Sequence, residues 1–342
     1  MERRTFNKLL LAGGALGPVV GFASAQSQVR ELRINEGGGL NGDAIDAGYA
    51  KPFTEKTGIK VVRESPNNFG KLRALVESKS TTTTLFELGT ASLAQAKALG
   101  LVEKIDWSKV DALPVYPEAK DDYGIGYQYY STLMAWRTDA KAPKNWSDFF
   151  NAKDFPGKRS IPDDPVYALP MALLASGVSI EKLYPLDLDA AFKKLEEVKK
   201  DISVWWKAGA QPPQLLRDNE VQYAASYSGR VVGQPGISYT YNQANLNIGY
   251  LSIVKGSSQA QIDAAYKFMR ELTDPKNQVV AADIVPYSGN SPDFEKLIDK
   301  ASTSKFPTTA ANKKVQYFND YDWWTANADS VQKRWQQFAL NR

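Results

Sequence analysis

A two-lobed α/β protein is the fold class the sequence predicts, and three observations carry it. Strand-like and helix-like patterns alternate along most of the chain, the order that lays a parallel sheet beneath covering helices. At 342 residues the chain is long enough for two compact domains. A proline-bearing stretch at 141–145 (KAPKN) interrupts the pattern near its middle.

The elements follow in order. ELRIN at 31–35 alternates apolar and polar residues and reads as a first strand. EGGG at 36–39 comes next, where the backbone can turn tightly. Ala44, Ile45, Ala47 and Ala50 give residues 43–56 a packed helical side, Thr57-Gly58 stops it, and IKVV at 59–62 is a second strand. Strand–helix–strand at this spacing is a βαβ unit. The pattern recurs as a helix at 72–76, a strand at 84–88 and a helix at 91–99 that ends on Gly100. Residues 123–137, rich in Tyr, Gly, Leu and Ala, read as one or two extended strands. Beyond 141–145 come a short helix from Trp146, a turn at 155–159, and helices at 168–176 and 188–200, the second amphipathic. QYAAS at 222–226 and NIGYLSIV at 247–254 read as strands, and 259–273 as a helix ended by Asp274-Pro275. Trp323, Trp324 and Trp335 fall on helical segments within 315–340.

The N-terminus predicts where the protein works. Arg3-Arg4 precede a Gly/Ala-rich apolar run at 9–22, and Ala23-Ser24-Ala25 makes a small-x-small cleavage pattern. That run is shorter than the roughly 20 apolar residues of a spanning helix. Residues 1–25 therefore read as a twin-arginine signal peptide, cleaved near Ala25, and the compartment as the periplasm.

Composition excludes several kinds of chemistry. The chain has no histidine and no cysteine. Zinc and copper sites, iron–sulfur ligation and Ser-His-Asp or Cys-His catalysis normally need one or the other. Apolar residues make up 43% and charged residues 23%, as in an ordinary globular protein. The net charge is +4, half of it in residues 1–25 (Arg3, Arg4 and Lys8 against Glu2). The remainder is nearly neutral and carries no basic cluster, which argues against a nucleic-acid partner. Tyrosine (17) and tryptophan (8) are plentiful, and such rings line ligand clefts at low entropic cost.

Several segments, taken in order, resemble one family. They are Gly37-Gly38, then KPFTEKTGIKV at 51–61, GLVEKID at 100–106, Trp146-Ser147-Asp148-Phe149, Pro156-Gly157-Lys158-Arg159, Asp163-Asp164, Pro275 and Pro286-Tyr287. Across nearly the whole chain after the leader the sequence resembles the extracellular substrate-binding proteins of bacterial ABC importers, in the branch of the spermidine/putrescine-binding proteins. The resemblance implies a type II-like periplasmic-binding-protein fold with the ligand in a cleft between lobes that close by a hinge. It implies lobe 1 at 26–135 and 249–292 and lobe 2 at 136–248 and 293–342. It further implies a small-molecule ligand, ABC permease subunits as partners, a monomer, no cofactor and no metal.

The same resemblance supplies candidate ligand-binding positions. A polyamine needs several carboxylates and aromatic faces along the cleft. The family's acidic position after the first strand falls on Gly38, beside Gly37 and two residues after Glu36. In the second lobe an acid is kept at Asp164, but the acid three residues later is Tyr167. An aspartate near the second crossing, beside Asn247, becomes Gly249, and the tyrosines of the first site loop become Ala91 and Ser92. A tryptophan before a small-Gly turn becomes Tyr227, while Tyr287 is retained. Aromatic character is kept and most negative charge is lost.

Arg230 directly follows that turn, and its planar fork suits a carboxylate or phosphate. The expected ligand is accordingly polyamine-like, or an amino or guanidino compound carrying a carboxylate, with its cationic end near Asp164 or Glu36. Glu36 also stands at a strand's carboxyl end, where α/β ligand sites gather. Asp164 equally suits a helix cap ahead of Pro165. Two alternatives stand beside this. One is a secreted hydrolase using Asp163, Asp164 and Glu36 as paired acids. The other is a ferric-iron receptor using Tyr239 and Tyr241.

Overall fold

A computed structural model describes residues 29–79 and 81–342. The expected signal peptide at 1–25 and its expected cleavage position lie outside the described residues. Among the described residues nine strands form one mixed sheet: β1 (Glu31–Asn35), β2 (Lys60–Glu64), β3 (Leu85–Gly89), β4 (Lys120–Asp121), β5 (Gly124–Arg137), β6 (Arg159–Pro162), β7 (Ile202–Trp206), β8 (Tyr223–Tyr227) and β9 (Ile237–Ile253). Their order is β2-β1-β3-β9-β5-β8-β6-β7, with β4 paired to β5. The expected βαβ unit is present, since β1 pairs in parallel with both β2 and β3.

β5 and β9 run antiparallel through the middle and are shared by both halves of the molecule. Their register shifts between Thr132 and Met134, where β9 jumps from Asn245 to Thr240. Inside that interruption Gln243 has φ 56°. Its carbonyl accepts from the Trp146 indole at 2.8 Å and its side chain from the Trp146 amide at 3.1 Å. The short helix Trp146–Phe150 is thereby tied to the break.

Each half has its own core. Leu32, Ile34, Phe53, Phe268 and Leu272 bury together beside β1. Trp146, Phe149, Leu169, Phe192, Trp335 and Phe338 do so beside β6. The C-terminal segments form one helix, Tyr321–Leu340, capped by Asp320. Trp324, Val331, Trp335 and Phe338 recur on its buried side at helical spacing.

Two elements differ from the sequence expectation. β9 begins ten residues before the expected strand at 247, because its first half is interrupted by the polar run NQAN at 242–245. The helix expected at 43–56 begins at Leu40 and passes through a wider π turn at Asp46–Ala50 before Lys51–Thr57. Pro52 has no amide hydrogen and crowds the carbonyl four residues back, which a wider turn relieves.

Among the described residues no helix is long and apolar enough to cross a membrane.

Candidate functional site: a cleft lined by one acid and one arginine

The site is built where β3, β9 and β5 lie side by side. Gly89 pairs with Gly249, and Gly249 with Gln128, so the three form one row across the sheet. A Cβ at position 249 would stand 2.9 Å from the Gln128 side chain, so glycine there leaves that side chain its path. Gln128 follows the path to Glu87, where its Nε2 donates to Oε1 at 2.8 Å.

Four other groups donate to the same carboxylate. They are the Gly37 amide at 2.7 Å, Asn41 Nδ2 at 3.1 and 3.3 Å, the Tyr127 hydroxyl at 2.8 Å and Asn67 Nδ2 at 3.4 Å. Glu87 is only 7% exposed. All five donors are neutral, and among the described residues no lysine or arginine pairs with it. Burial pushes its carboxyl above the ordinary value; the Tyr127 and Gly37 hydrogen bonds pull it back, and the nearby Glu36 charge adds to the rise.

Across from Glu87 the opposite half contributes Gly209, Tyr227 and Arg230. Arg230 sits on the short helix Ser228–Val231 that follows β8. It is exposed and has no carboxylate partner among the described residues. The space between measures about 310 Å³ and is lined by residues of both halves. Glu87 is the one acid and Arg230 the one base among the lining residues.

Three lining tyrosines make a continuous wall. The ring centre of Tyr130 lies 5.9 Å from that of Tyr227 and 5.6 Å from that of Tyr287. Trp206 backs Tyr227 at 5.4 Å, and its indole donates to the Ala225 carbonyl at 2.9 Å. A Cβ at Gly229 would run into the Tyr287 ring, so that glycine lets the Arg230 helix approach. Burial pushes the Tyr287 phenol up to about 12, with the Arg230 charge opposing the rise.

The structure brings together five of the expected positions, Gly37, Gly38, Tyr227, Arg230 and Tyr287, on this one cleft. The other five lie elsewhere. Glu36 is fully buried and turned into an ion pair with Arg63 at 2.8 Å. Asp164 caps the helix Pro165–Ala175 by accepting from the Val166 amide at 2.9 Å. Tyr167 stands behind Tyr227, ring to ring at 6.1 Å. Asn247 donates to the Asn245 carbonyl at 3.0 Å and accepts from the Tyr321 hydroxyl at 3.4 Å. Ser92 is half-buried on the helix Thr90–Ala98.

The acids of the hydrolase alternative are likewise separated. Asp163 pairs with Arg342 and Lys207, away from Glu36. Tyr241, of the iron alternative, donates its hydroxyl to the Lys305 carbonyl at 2.7 Å.

Sequence reasoning missed Glu87, Gln128, Tyr130, Asn41 and Asn67. The signal for Glu87 was a carboxylate in the middle of an otherwise apolar strand, LFELG. Such a residue needs a reason to be buried.

A cleft of this kind, between two halves joined through shared strands, is the architecture of a two-lobed protein that takes up a small molecule. Residues 48–311 match the model of a family described as bacterial extracellular solute-binding protein. The gamma-aminobutyric acid-binding protein of Pseudomonas aeruginosa PAO1 is 30% identical over 98% of this chain and 96% of its own length. An ABC transporter substrate-binding protein from Bradyrhizobium japonicum USDA 110 superposes with a TM-score of 0.85 at 32% identity, covering 90% of this chain and 99% of that one. A solved GABA receptor superposes with a TM-score of 0.80 at 34% identity, covering 90% and 97%.

The chain belongs to the bacterial extracellular solute-binding protein family. It is a solute-binding receptor and not an enzyme, as the sequence resemblance implied, and the hydrolase and ferric-iron alternatives are set aside.

Proposed function

We propose that this receptor captures a small zwitterion, a γ-aminobutyrate-type amino or guanidino compound carrying a carboxylate, and delivers it to an ABC import permease. The observation that carries this reading is the pairing of charges in the cleft. Among the described residues Glu87 is a buried carboxylate with no counter-ion, and Arg230 is a guanidinium with no acid. A ligand with a cation at one end and a carboxylate at the other satisfies both, and its methylenes lie along the tyrosine wall. A polyamine finds a single acid here, which supports the zwitterion over the dication. The names of the relatives that bind γ-aminobutyrate agree with it.

In this reading Gly37, Gly38, Tyr227, Arg230 and Tyr287 touch or frame the ligand, while Asp164, Tyr167, Ser92 and Asn247 support the surrounding walls. Twin-arginine export with cleavage near Ala25, residence in the periplasm, a monomeric state and lobes at 26–135 with 249–292 and 136–248 with 293–342 complete the proposal. The register break near Thr132 and the family's extracellular character support it.

The test is thermal melting of the protein from residue 26 onward against 4-aminobutyrate, 4-guanidinobutyrate, putrescine, spermidine and butyrate. Ligand at about 100 times its dissociation constant adds about 2.7 kcal/mol, a shift of several degrees. The zwitterions are expected to raise the midpoint. A shift with putrescine or spermidine alone would overturn the reading.

A further inference from the structure

The hydrogen bonding of Glu87 says how the ligand's cation is held. A carboxylate offers about four lone-pair positions. Gly37, Asn41, Asn67, Tyr127 and Gln128 between them already make six contacts to its two oxygens. What Glu87 still offers is its net charge. A primary ammonium brings three N–H donors that want acceptors, and to bond Glu87 it must displace a neutral donor already in place. A methylated ammonium has fewer donors or none, and needs only a nearby negative charge and aromatic faces. Tyr130, Tyr227 and Tyr287 supply those faces, in planes inclined at 88° and 44° to Tyr130. All three line the cleft with Glu87.

We propose that the cleft reads the ligand's cationic pole by charge and ring faces, with no requirement for N–H donation. Its ligand class therefore includes betaine-type zwitterions, in which the ammonium is N-methylated and a carboxylate reaches Arg230. The inference rests on the zwitterion reading above and adds that methylation of the nitrogen is tolerated.

Titration calorimetry of the unmutated protein with 4-aminobutyrate and with 4-(trimethylammonio)butyrate tests it. The trimethylated compound is expected to bind within tenfold of the primary amine, or more tightly. Trimethylation that weakens binding more than tenfold would overturn the inference and leave the zwitterion reading intact. Binding of neither compound would overturn both. In Tyr130→Leu the trimethylated compound is expected to lose more affinity than the primary amine; an equal loss counts against the ring faces.

Discussion

Two buried carboxylates stand at the ends of neighbouring parallel strands, and their company differs. Glu36, directly after β1, is fully buried and meets Arg63 at 2.8 Å; Arg63 also meets Asp46 at 2.8 Å and Asp43 at 3.8 Å. Glu87, near the end of β3, meets five neutral donors and, among the described residues, no cation. A buried acid with its own arginine is satisfied within its lobe and holds the Gly37–Gly38 loop in place, since the Gly38 amide donates to it. A buried acid solvated only by neutral donors at a cleft wall keeps an uncompensated charge, which disfavours its ionised form. The difference separates an acid satisfied within its lobe from one that lines the cleft, and the proposed function makes the second the ligand's acid.

The contrast is broken most strongly from the structural side. Arg63→Met strands Glu36 without its partner, and breaking a buried pair typically costs about 3–5 kcal/mol. A fall of roughly ten degrees in the melting midpoint is expected, read by calorimetry. An unchanged midpoint would remove the distinction drawn here. Glu87→Gln acts oppositely: the free protein is expected to melt at the same temperature or higher, because an unpaired buried charge is gone. Affinity for 4-aminobutyrate should fall by about 2–4 kcal/mol, roughly 30- to 1,000-fold, the scale of truncating one partner of a buried charge pair.

Much of this contrast was absent from the sequence pattern. The strands β1, β2, β3 and β8 and the helices Trp146–Phe150 and Gln259–Leu272 were legible, because periodicity and end signals agree there. The place of Arg230 on the cleft was legible too, because it follows an identifiable turn. Glu36 drew attention for standing at a strand end, yet what decides its role is Arg63, one strand away and 27 residues on. Glu87 was passed over for the reverse reason. Its partners come from three separate segments at residues 37–41, 67 and 127–128, which only the fold assembles.

A smaller effect sharpens the comparison at the other pole. Arg230→Ala is expected to weaken binding of carboxylate-bearing ligands about 10- to 100-fold, a hydrogen-bonded charge being worth about 1.5–3 kcal/mol. Because Arg230 is exposed and pairs with no acid among the described residues, the free protein's midpoint should stay within the range of ordinary surface substitutions, about 0.5 kcal/mol.

The smallest effect is a pH dependence. The Glu87 carboxyl is raised in the folded free protein by burial, so between its unfolded and folded values the folded state binds the extra proton. Its contribution to stability is full below the unfolded value and is lost as pH rises through the folded one. Cation binding needs the ionised form, so affinity should fall as pH drops through that raised value. Glu87→Gln should flatten both profiles, measured as melting midpoint and dissociation constant across acidic pH.

The most direct test of the account is titration calorimetry with 4-aminobutyrate, putrescine and butyrate at one ionic strength. The first carries both poles, and each of the others carries a single kind. Binding of 4-aminobutyrate at least 100-fold tighter than either is the predicted result, since only it satisfies Glu87 and Arg230 together. Putrescine binding as tightly as 4-aminobutyrate would contradict the account, because Arg230 would then contribute nothing to recognition.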